Sequence, residues 1–211
     1  MALPRRRSAP LLVAIVGGSG SGKTWLARKL AAALAPHTVR LSLDDFYRDR
    51  SHLSPQRRAR INFDQPGAID WAATETAIYA LARGRSARVP TYDFKTQRRA
   101  RTKRILHPRP IVLIEGLWLL RRRSLRRLFP VRIFVSCPAR LRLRRRLERD
   151  RRCRGRTEAS VRAQFRNLVE PMHRLYVAPQ RRWANVILPA HSGPKQFRAL
   201  VARLHAGICP N

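Results

Sequence analysis

Eight consecutive residues carry the clearest chemistry in this 211-residue chain. They read GGSGSGKT and fit the pattern G-x-x-x-x-G-K-[ST]: Gly17, Gly18, Ser19, Gly20, Ser21, Gly22, Lys23 and Thr24. Small residues let the backbone curl until successive N–H groups converge on phosphate oxygens, at the positive end of the following helix. Lys23 would reach the terminal phosphates, and Thr24 would offer its hydroxyl to Mg²⁺. The segment predicts a site for a nucleoside triphosphate.

The neighbouring residues supply the strand and the helix that such a loop requires. Residues 11–16 are all apolar, which predicts a buried strand, and residues 25–35 have the apolar spacing of a helix. The alternative is a glycine-rich turn with a chance lysine, and this strand-loop-helix context disfavours it. By itself the loop indicates a triphosphate and leaves the reaction open.

Acidic residues follow two further predicted strands. Residues 38–43 lead into Asp44 and Asp45, and the apolar run 111–114 leads into Glu115. Because the carboxyl ends of parallel strands open into the binding crevice of a doubly wound sheet, these carboxylates are expected beside the phosphate loop. Glu115, together with Thr24, would hold Mg²⁺ and its waters.

The chain is strongly basic, with a formal net charge of +34. Of its 46 basic residues, 41 are arginines, and they occur in every segment rather than in one tail or stripe. Such a charge indicates either nucleic-acid binding or a general preference for arginine on solvated faces around a site for anionic substrates. The even spread favours the second interpretation.

Cysteines, histidines and apolar runs bear on the protein's location. Three widely spaced cysteines and six histidines form neither a disulfide framework nor a zinc pattern, so a reducing cytoplasm is expected. Residues 1–10 read as a basic N-terminal tail, because the apolar run that follows is too short for a secretion signal. No apolar run approaches the roughly 20 residues that span a bilayer, so no membrane association is predicted.

Alternating strand and helix patterns continue along the chain and predict one domain, residues 1–211. The expected fold is an α/β P-loop fold with a parallel five-stranded sheet and helices on both faces. An insertion at 87–109, consisting of an extended stretch and a hairpin, and an arginine-rich helical lid at 140–170 complete it. Ser54 and Pro55 suit a helix start. The other predicted segments are helices 71–83, 117–129, 138–150, 158–169 with a break at Pro171, and 195–205; strands 131–136 and 184–188; an extended stretch 87–94; and a hairpin 95–109.

Seven blocks in a fixed order extend the pattern beyond the loop: GGSGSGKT, LSLDDFYRD, NFDQPGAID, VPTYDF, VLIEGLWLL, RDRRCRGRT and ANVILP. In this order they resemble the uridine kinases (uridine-cytidine kinases) of the phosphoribulokinase and uridine kinase superfamily, over residues 11–188. The resemblance implies transfer of the γ-phosphoryl group of ATP or GTP to the 5′-hydroxyl of uridine or cytidine, in pyrimidine salvage, with Mg²⁺ as cofactor. It is also compatible with a homo-oligomer.

The resemblance implies roles for individual residues. Asp44 would accept the proton of the attacking hydroxyl, with Asp45 as the local alternative and a helix N-cap as the structural one. Asp64 would accept hydrogen bonds from the ribose hydroxyls, beside Arg146 and Gln164, although a loop aspartate also often makes a local turn. Catalytic cations would be Lys23 and Arg149. The nucleoside pocket would comprise Tyr47, Phe63, Tyr92, Phe94 and Gln97, whose aromatic members are also suited to a core, and the lid arginines would be Arg149, Arg154 and Arg156.

The chain departs from the family pattern at the acceptor side. Gln97 and Gln65 stand where the family usually has histidine, and Gly67 replaces a common acid. Glutamine both donates and accepts, so pyrimidine binding is retained while the choice between uridine and cytidine stays open. The alternatives are a sister kinase for phosphoribulose, pantothenate or nicotinamide riboside, and a nucleic-acid-binding P-loop ATPase. An inactive homologue is disfavoured by the intact loop and acids.

Overall fold

Nine strands form within the residues that this computed structural model describes, 9–59, 61–94 and 96–208. They are β1 (Leu11–Gly17), β2 (Thr38–Ser42), β3 (Ala87–Val89), β4 (Tyr92–Asp93), β5 (Arg98–Arg99), β6 (Arg104–Leu106), β7 (Ile111–Gly116), β8 (Val131–Ser136) and β9 (Val186–Pro189). Most of the predicted basic tail, residues 1–8, lies outside the described residues.

The helices cover both faces of the sheet and the region predicted as a lid. Those of α type are α1 (Lys23–Ala33), α2 (Pro55–Ala59), α3 (Trp71–Ala82), α4 (Arg123–Arg126), α5 (Ala139–Arg154), α6 (Glu158–Gln164), α7 (Glu170–Met172) and α8 (Pro194–Ala206). As predicted, α2 begins after Ser54, whose hydroxyl accepts from the Arg57 N–H at 3.3 Å. None of the helices within the described residues has the length and apolarity needed to cross a bilayer.

Five strands form a parallel sheet in the order β2-β7-β1-β8-β9. β7 is buried along its whole length, as expected for a central strand covered on both faces. The register brings the carboxyl ends of β1, β2 and β7 side by side, so that Ser42 lies opposite Glu115. The predicted five-stranded parallel sheet is confirmed.

Two hydrophobic cores lie on opposite faces of this sheet, because side chains alternate along a strand. From β1, Leu12 and Val16 enter a cluster that includes residues of α3. Val13 and Ile15 enter a second cluster with residues of α1 and α8. With both faces covered, ligands have access only at the ends of the strands.

The prediction of a helix over residues 117–129 was wrong in extent. Residues 117–120 are buried on every side rather than along one face, and only α4 is helical. The side chain of Gln180 replaces the helical hydrogen bonds. Its Oε1 accepts from the Leu120 N–H at 3.0 Å, and its Nε2 donates to the Leu117 carbonyl at 2.7 Å. A buried amide 60 residues away thus satisfies the backbone here.

Other boundaries also differ from the predictions: α5 continues to Arg154, four residues beyond the predicted end at residue 150. The hairpin predicted at 95–109 begins at Ala87, because the extended stretch is its first arm: β3 pairs with β6 and β4 with β5, both antiparallel. The predicted break at Pro171 is absent. Widened π-helical turns, Phe165–Val169 and His173–Val177, flank the proline, and the helix continues through it.

Candidate active site

The phosphate loop connects β1 to α1 in a conformation that requires its glycines. Gly20 and Gly22 have φ of 79° and 103°, in the left-handed region. A Cβ on Gly20 would also lie 2.5 Å from the Arg142 carbonyl oxygen. Lys23 folds back over the loop and donates to the Gly18 carbonyl at 3.2 Å. Burial lowers the pKa of Lys23, although the charges of Glu115 and Asp44 act to raise it. The loop thus holds a partly buried cation against one of its own carbonyls.

Thr24 and Glu115 meet at the carboxyl edge of the sheet. The Thr24 hydroxyl donates to Oε1 of Glu115 at 2.8 Å, and the Ser42 hydroxyl donates to the same oxygen at 3.2 Å. Burial raises the pKa of Glu115, against the opposing charge of Lys23, and Asp44 raises it further. A divalent cation would offset this penalty, and carboxylate and hydroxyl oxygens are donors that Mg²⁺ accepts. The residues present therefore fit Mg²⁺, and Ser42 is a neighbour that the sequence reasoning missed.

The structure separates the two neighbouring aspartates. Asp44 lines the cleft beside the loop, together with Lys23 and Thr24. Asp45 turns towards the hairpin, where its Oδ2 lies 2.6 Å from Nη2 of Arg104. Neither carboxylate is the cap of the short 3₁₀ helix Leu43–Phe46, because the Ser42 hydroxyl accepts the Asp44 N–H instead. Asp44 is thus the acid that faces the phosphate loop.

Residues predicted for the acceptor line this same cleft, which has a volume of about 260 Å³. The hydroxyl of Tyr47 donates to the Phe63 carbonyl at 3.1 Å, and the ring centroids of Tyr47 and Tyr92 lie 5.2 Å apart. Gln97, at the hairpin tip, has a φ of 55°, a conformation uncommon for a residue other than glycine. The predicted acceptor and loop residues that line the cleft together are Ser19, Gly20, Gly22, Lys23, Thr24, Asp44, Tyr47, Phe63, Asp64, Tyr92, Phe94, Gln97, Arg146, Arg149, Arg156 and Gln164.

Arginines from α5 and the turn after it connect the loop to the acceptor side. Arg146 donates to the Ser19 hydroxyl at 2.8 Å and to Oε1 of Gln164 at 2.7 Å. Arg156 donates to the same Gln164 oxygen at 2.5 Å. Arg149 also lines the cleft. α5 ends at Arg154, whose side chain lies outside the described part of the structure.

The sequence reasoning missed several residues at the loop. Arg145 donates to the Ser21 carbonyl at 3.0 Å and to the Ala190 carbonyl at 3.3 Å. It lines the main cleft and also a second cleft of about 510 Å³, formed with residues 188–192. Trp25, which is 60% exposed, borders both clefts. Arg145 lies within an arginine run, so no local signal could have distinguished it from its neighbours.

Buried polar residues support the loop from behind. Arg142 is almost completely buried, and its guanidinium pairs with Glu170. Burial acts to raise the pKa of Glu170, but the hydrogen bond and charge of Arg142 outweigh it and lower the pKa. His173 approaches so closely that a Cβ on Gly18 would lie 2.7 Å from its Nδ1. Burial, with the charge of Arg142, lowers the pKa of His173 to about 4.

The sheet order and the glycine-rich loop define a P-loop nucleotide-binding fold. Residues 12–195 match the family model described as Phosphoribulokinase / Uridine kinase family. The chain belongs to this family.

Relatives agree with that assignment, and a solved structure shares the fold. A uridine kinase from Chloroflexus aurantiacus is 37% identical over 201 residues, which cover 94% of this chain and 96% of the relative. A uridine kinase from Brevibacillus brevis is 36% identical over 181 residues, 85% of each chain. The structure of phosphoribulokinase from Rhodobacter spheroides shares the fold with a TM-score of 0.65 and 16% identity, over 87% of this chain and 70% of that one.

Proposed function

We propose that this protein transfers the γ-phosphoryl group of ATP or GTP to the 5′-hydroxyl of uridine or cytidine, as a step of pyrimidine salvage in the cytoplasm. The observation that carries the proposal is that one cleft contains both the phosphate loop and the predicted acceptor residues Asp64, Tyr92 and Gln97. Relatives of 36–37% identity over most of the chain are uridine kinases. Their name supports a nucleoside acceptor over phosphoribulose or pantothenate.

The donor half of the site is the phosphate loop. Its backbone amides would bind the phosphates, and Lys23 would exchange its bond to the Gly18 carbonyl for the terminal phosphates. Thr24 and Glu115 would hold Mg²⁺, which when bound neutralises charge on the phosphate oxygens. The second cleft, beside Arg145 and Trp25, has room for the base of the donor.

In the acceptor half, Asp44 would take the proton of the attacking 5′-hydroxyl as the phosphoryl group is transferred. Burial lowers the pKa of Arg146. The negative charge of the buried Asp64 acts to raise it again, so the two side chains lie close enough to interact. This pair, with Gln164, would bind the ribose hydroxyls. A sugar lacking a hydroxyl would leave buried polar groups without their partner, so such sugars are poor substrates.

The base would lie among the aromatic rings. Phe63, Tyr92 and Phe94 surround Tyr47, with ring centroids 5.2–6.1 Å from it. Their faces and edges suit a planar pyrimidine. Gln97 at the cleft would contact the base edge with a group that both donates and accepts, which serves uridine and cytidine alike.

The test is product analysis with a panel of acceptors in the presence of MgATP or MgGTP. Uridine or cytidine should be converted to the 5′-monophosphate, and 2′-deoxyuridine should be used poorly. Adenosine, pantothenate, nicotinamide riboside and ribulose 5-phosphate should remain unmodified. Preferred use of one of those four would assign the protein to a sister activity. ATP hydrolysis that DNA stimulates and nucleosides do not affect would favour the nucleic-acid-dependent alternative.

A further inference from the structure

One carboxylate, Asp150, is completely buried in α5 and does not line the cleft. Its Oδ1 lies 2.8 Å from Nε of Arg149. Its Oδ2 lies 3.5 Å from Nε of Arg146 and 3.7 Å from Nη1 of Arg156. All three of these arginines line the cleft. Asp150 therefore contacts three arginines that line the cleft, although it does not line the cleft itself.

The backbone around Asp150 shapes the turn that carries the third cation. Gly155 adopts a φ of 63° at the end of α5, and the Arg156 N–H donates to the Asp150 carbonyl at 3.2 Å. This turn folds Arg156 back, so its guanidinium also reaches Gln164 on α6. Both the main chain and the side chain of Asp150 thus fix where Arg156 lies.

Energetics indicate what the carboxylate does. Burying a carboxylate carries a large desolvation cost, which paired cations only partly offset. Three guanidinium groups held together also repel one another, and one negative charge among them reduces that repulsion. A pairing on the protein surface would avoid the desolvation cost, so the buried position serves to fix the arginines in place.

Arg149 lines the cleft and is held there by Asp150. Its Nε bonds Asp150, which fixes the plane of the guanidinium. Its Nη2 is buried and has no hydrogen-bond partner among the residues that the structure describes. An arginine that is anchored by one nitrogen and has another unused is pre-organised for an anion.

We propose that Asp150 is a positioning residue for phosphoryl transfer. It holds the guanidinium groups of Arg149 and Arg156 where the transferring phosphoryl group passes, without touching the substrates itself. This role rests on the proposed function, because it concerns the phosphoryl group that the reaction moves. Donor binding at the phosphate loop would depend little on Asp150, whereas the chemical step would depend on it strongly.

The direct test compares Asp150→Asn with Glu148→Gln. Glu148 lies on the same helix and forms an exposed i,i+4 pair with Arg152, so its variant removes one carboxylate without affecting the cleft. Asp150→Asn should lower kcat by about 10²-fold, the scale expected when a catalytic group is misplaced by roughly 1 Å. The KM for ATP should stay within about threefold of wild type, because the contacts of Lys23 and Thr24 do not involve Asp150. Glu148→Gln should keep wild-type kcat. Equal kcat in the two variants would overturn the proposal.

A second variant keeps the proposal testable if Asp150→Asn fails to fold. Arg149→Lys retains both the charge and Asp150, but lysine has no Nε donor at the position that bonds the carboxylate. The Arg149 side chain is 39% exposed, so the fold should tolerate the change. Arg149→Lys should lose kcat to a similar extent, and wild-type kcat in this variant would contradict the proposal.

The double variant distinguishes positioning from a general structural role. If Asp150 acts through Arg149, Asp150→Asn should reduce kcat much less in an Arg149→Ala background than in wild type. Multiplicative losses would mean that the two residues act separately and would refute the link. Wild-type enzyme is measured in the same assay. If it phosphorylates no nucleoside, the proposed function itself fails, whereas an active wild type with unaffected variants refutes only the role of Asp150.

Discussion

Asp44 and Asp45 are adjacent in sequence but differ in what they face. Asp44 lines the cleft with the phosphate loop, whereas Asp45 pairs with Arg104 of the hairpin. Asp44→Asn should lower kcat by about 10²–10⁴-fold, because the amide cannot accept the hydroxyl proton. ATP binding should be retained. Steady-state kinetics and an ATP titration measure the two effects.

Asp45→Asn is the matched control for this prediction. Its ion pair with Arg104 is partly exposed, and such pairs contribute about 0–1 kcal/mol to stability. This variant should therefore keep kcat near the wild-type value. If Asp45→Asn proved the inactive variant and Asp44→Asn the active one, the assignment of the proton acceptor would be reversed.

Sequence position explains which site residues could be predicted. Lys23 and Thr24 lie in the loop, Asp44 follows β2 and Glu115 lies near the end of β7, and the parallel register brings these elements together. Asp150 also lies in one of the quoted blocks, RDRRCRGRT, but an aspartate in an arginine-rich helix predicts a solvated ion pair rather than a buried carboxylate. Its burial arises only when α5 packs beside α6 and the turn at Gly155 brings Arg156 back.

At the level of elements, strands were predicted more accurately than the segments between them. β1 and β7 are largely apolar runs and are buried along almost their whole length, so the local sequence predicts them directly. Residues 117–120 are equally apolar, yet Gln180 holds them in turns. The start of the hairpin was missed because it depends on pairing between β3 and β6, which the local pattern does not specify.

Arg99 connects the hairpin to the segment that contains Tyr47, one of the predicted acceptor residues. It donates to the Tyr47 carbonyl at 2.7 Å and to the Phe46 carbonyl at 3.2 Å, and it pairs with Asp70 at 3.2 Å. Arg99→Ala should raise the KM for the nucleoside about tenfold and lower the free energy of unfolding by about 1–3 kcal/mol. The Kd for ATP should not change, since the loop lies on other elements. Kinetics, calorimetric binding and urea unfolding measure these three quantities.

The neighbouring Arg98→Ala is the control, because Arg98 lies on the same strand and is exposed. Both variants remove one positive charge from the hairpin. Similar changes in KM for the two variants would show that charge matters rather than the anchoring contacts. A raised Kd for ATP in Arg99→Ala alone would show that the hairpin also supports the donor half.

Across the whole molecule, the arginines that give the net charge of +34 have several different structural roles. The guanidinium groups of Arg126 and Arg182 lie 4.1 and 4.4 Å from the ring centroid of Trp183, and that of Arg121 lies 4.7 Å from the ring centroid of Tyr176. Arg142 is buried behind the phosphate loop. Arginine thus serves packing and anion binding as well as solvation, which accords with its even spread along the sequence.

The charge around the loop also couples the stability of the fold to pH through His173. Burial lowers the pKa of this imidazole to about 4 from its ordinary 6.5; the charges of Arg142, Lys23 and Arg174 act in the same direction, and Glu170 opposes them. Between these two pH values the unfolded chain binds a proton at this residue and the folded chain does not. Unfolding therefore takes up a proton, and the free energy of unfolding falls as the pH decreases from 6.5 towards 4.

His173→Gln should remove this contribution while His205→Gln, at an exposed histidine of α8, should not. A glutamine side chain cannot be protonated in this pH range, so the Tm of His173→Gln relative to wild type should be higher at pH 5 than at pH 7. The difference between His205→Gln and wild type should stay constant. Thermal unfolding of the three proteins at both pH values measures this. A Tm difference for His173→Gln that is the same at pH 5 and pH 7 would show that the imidazole is protonated equally in the folded and unfolded chains, and that the region behind the phosphate loop accommodates a further positive charge without cost.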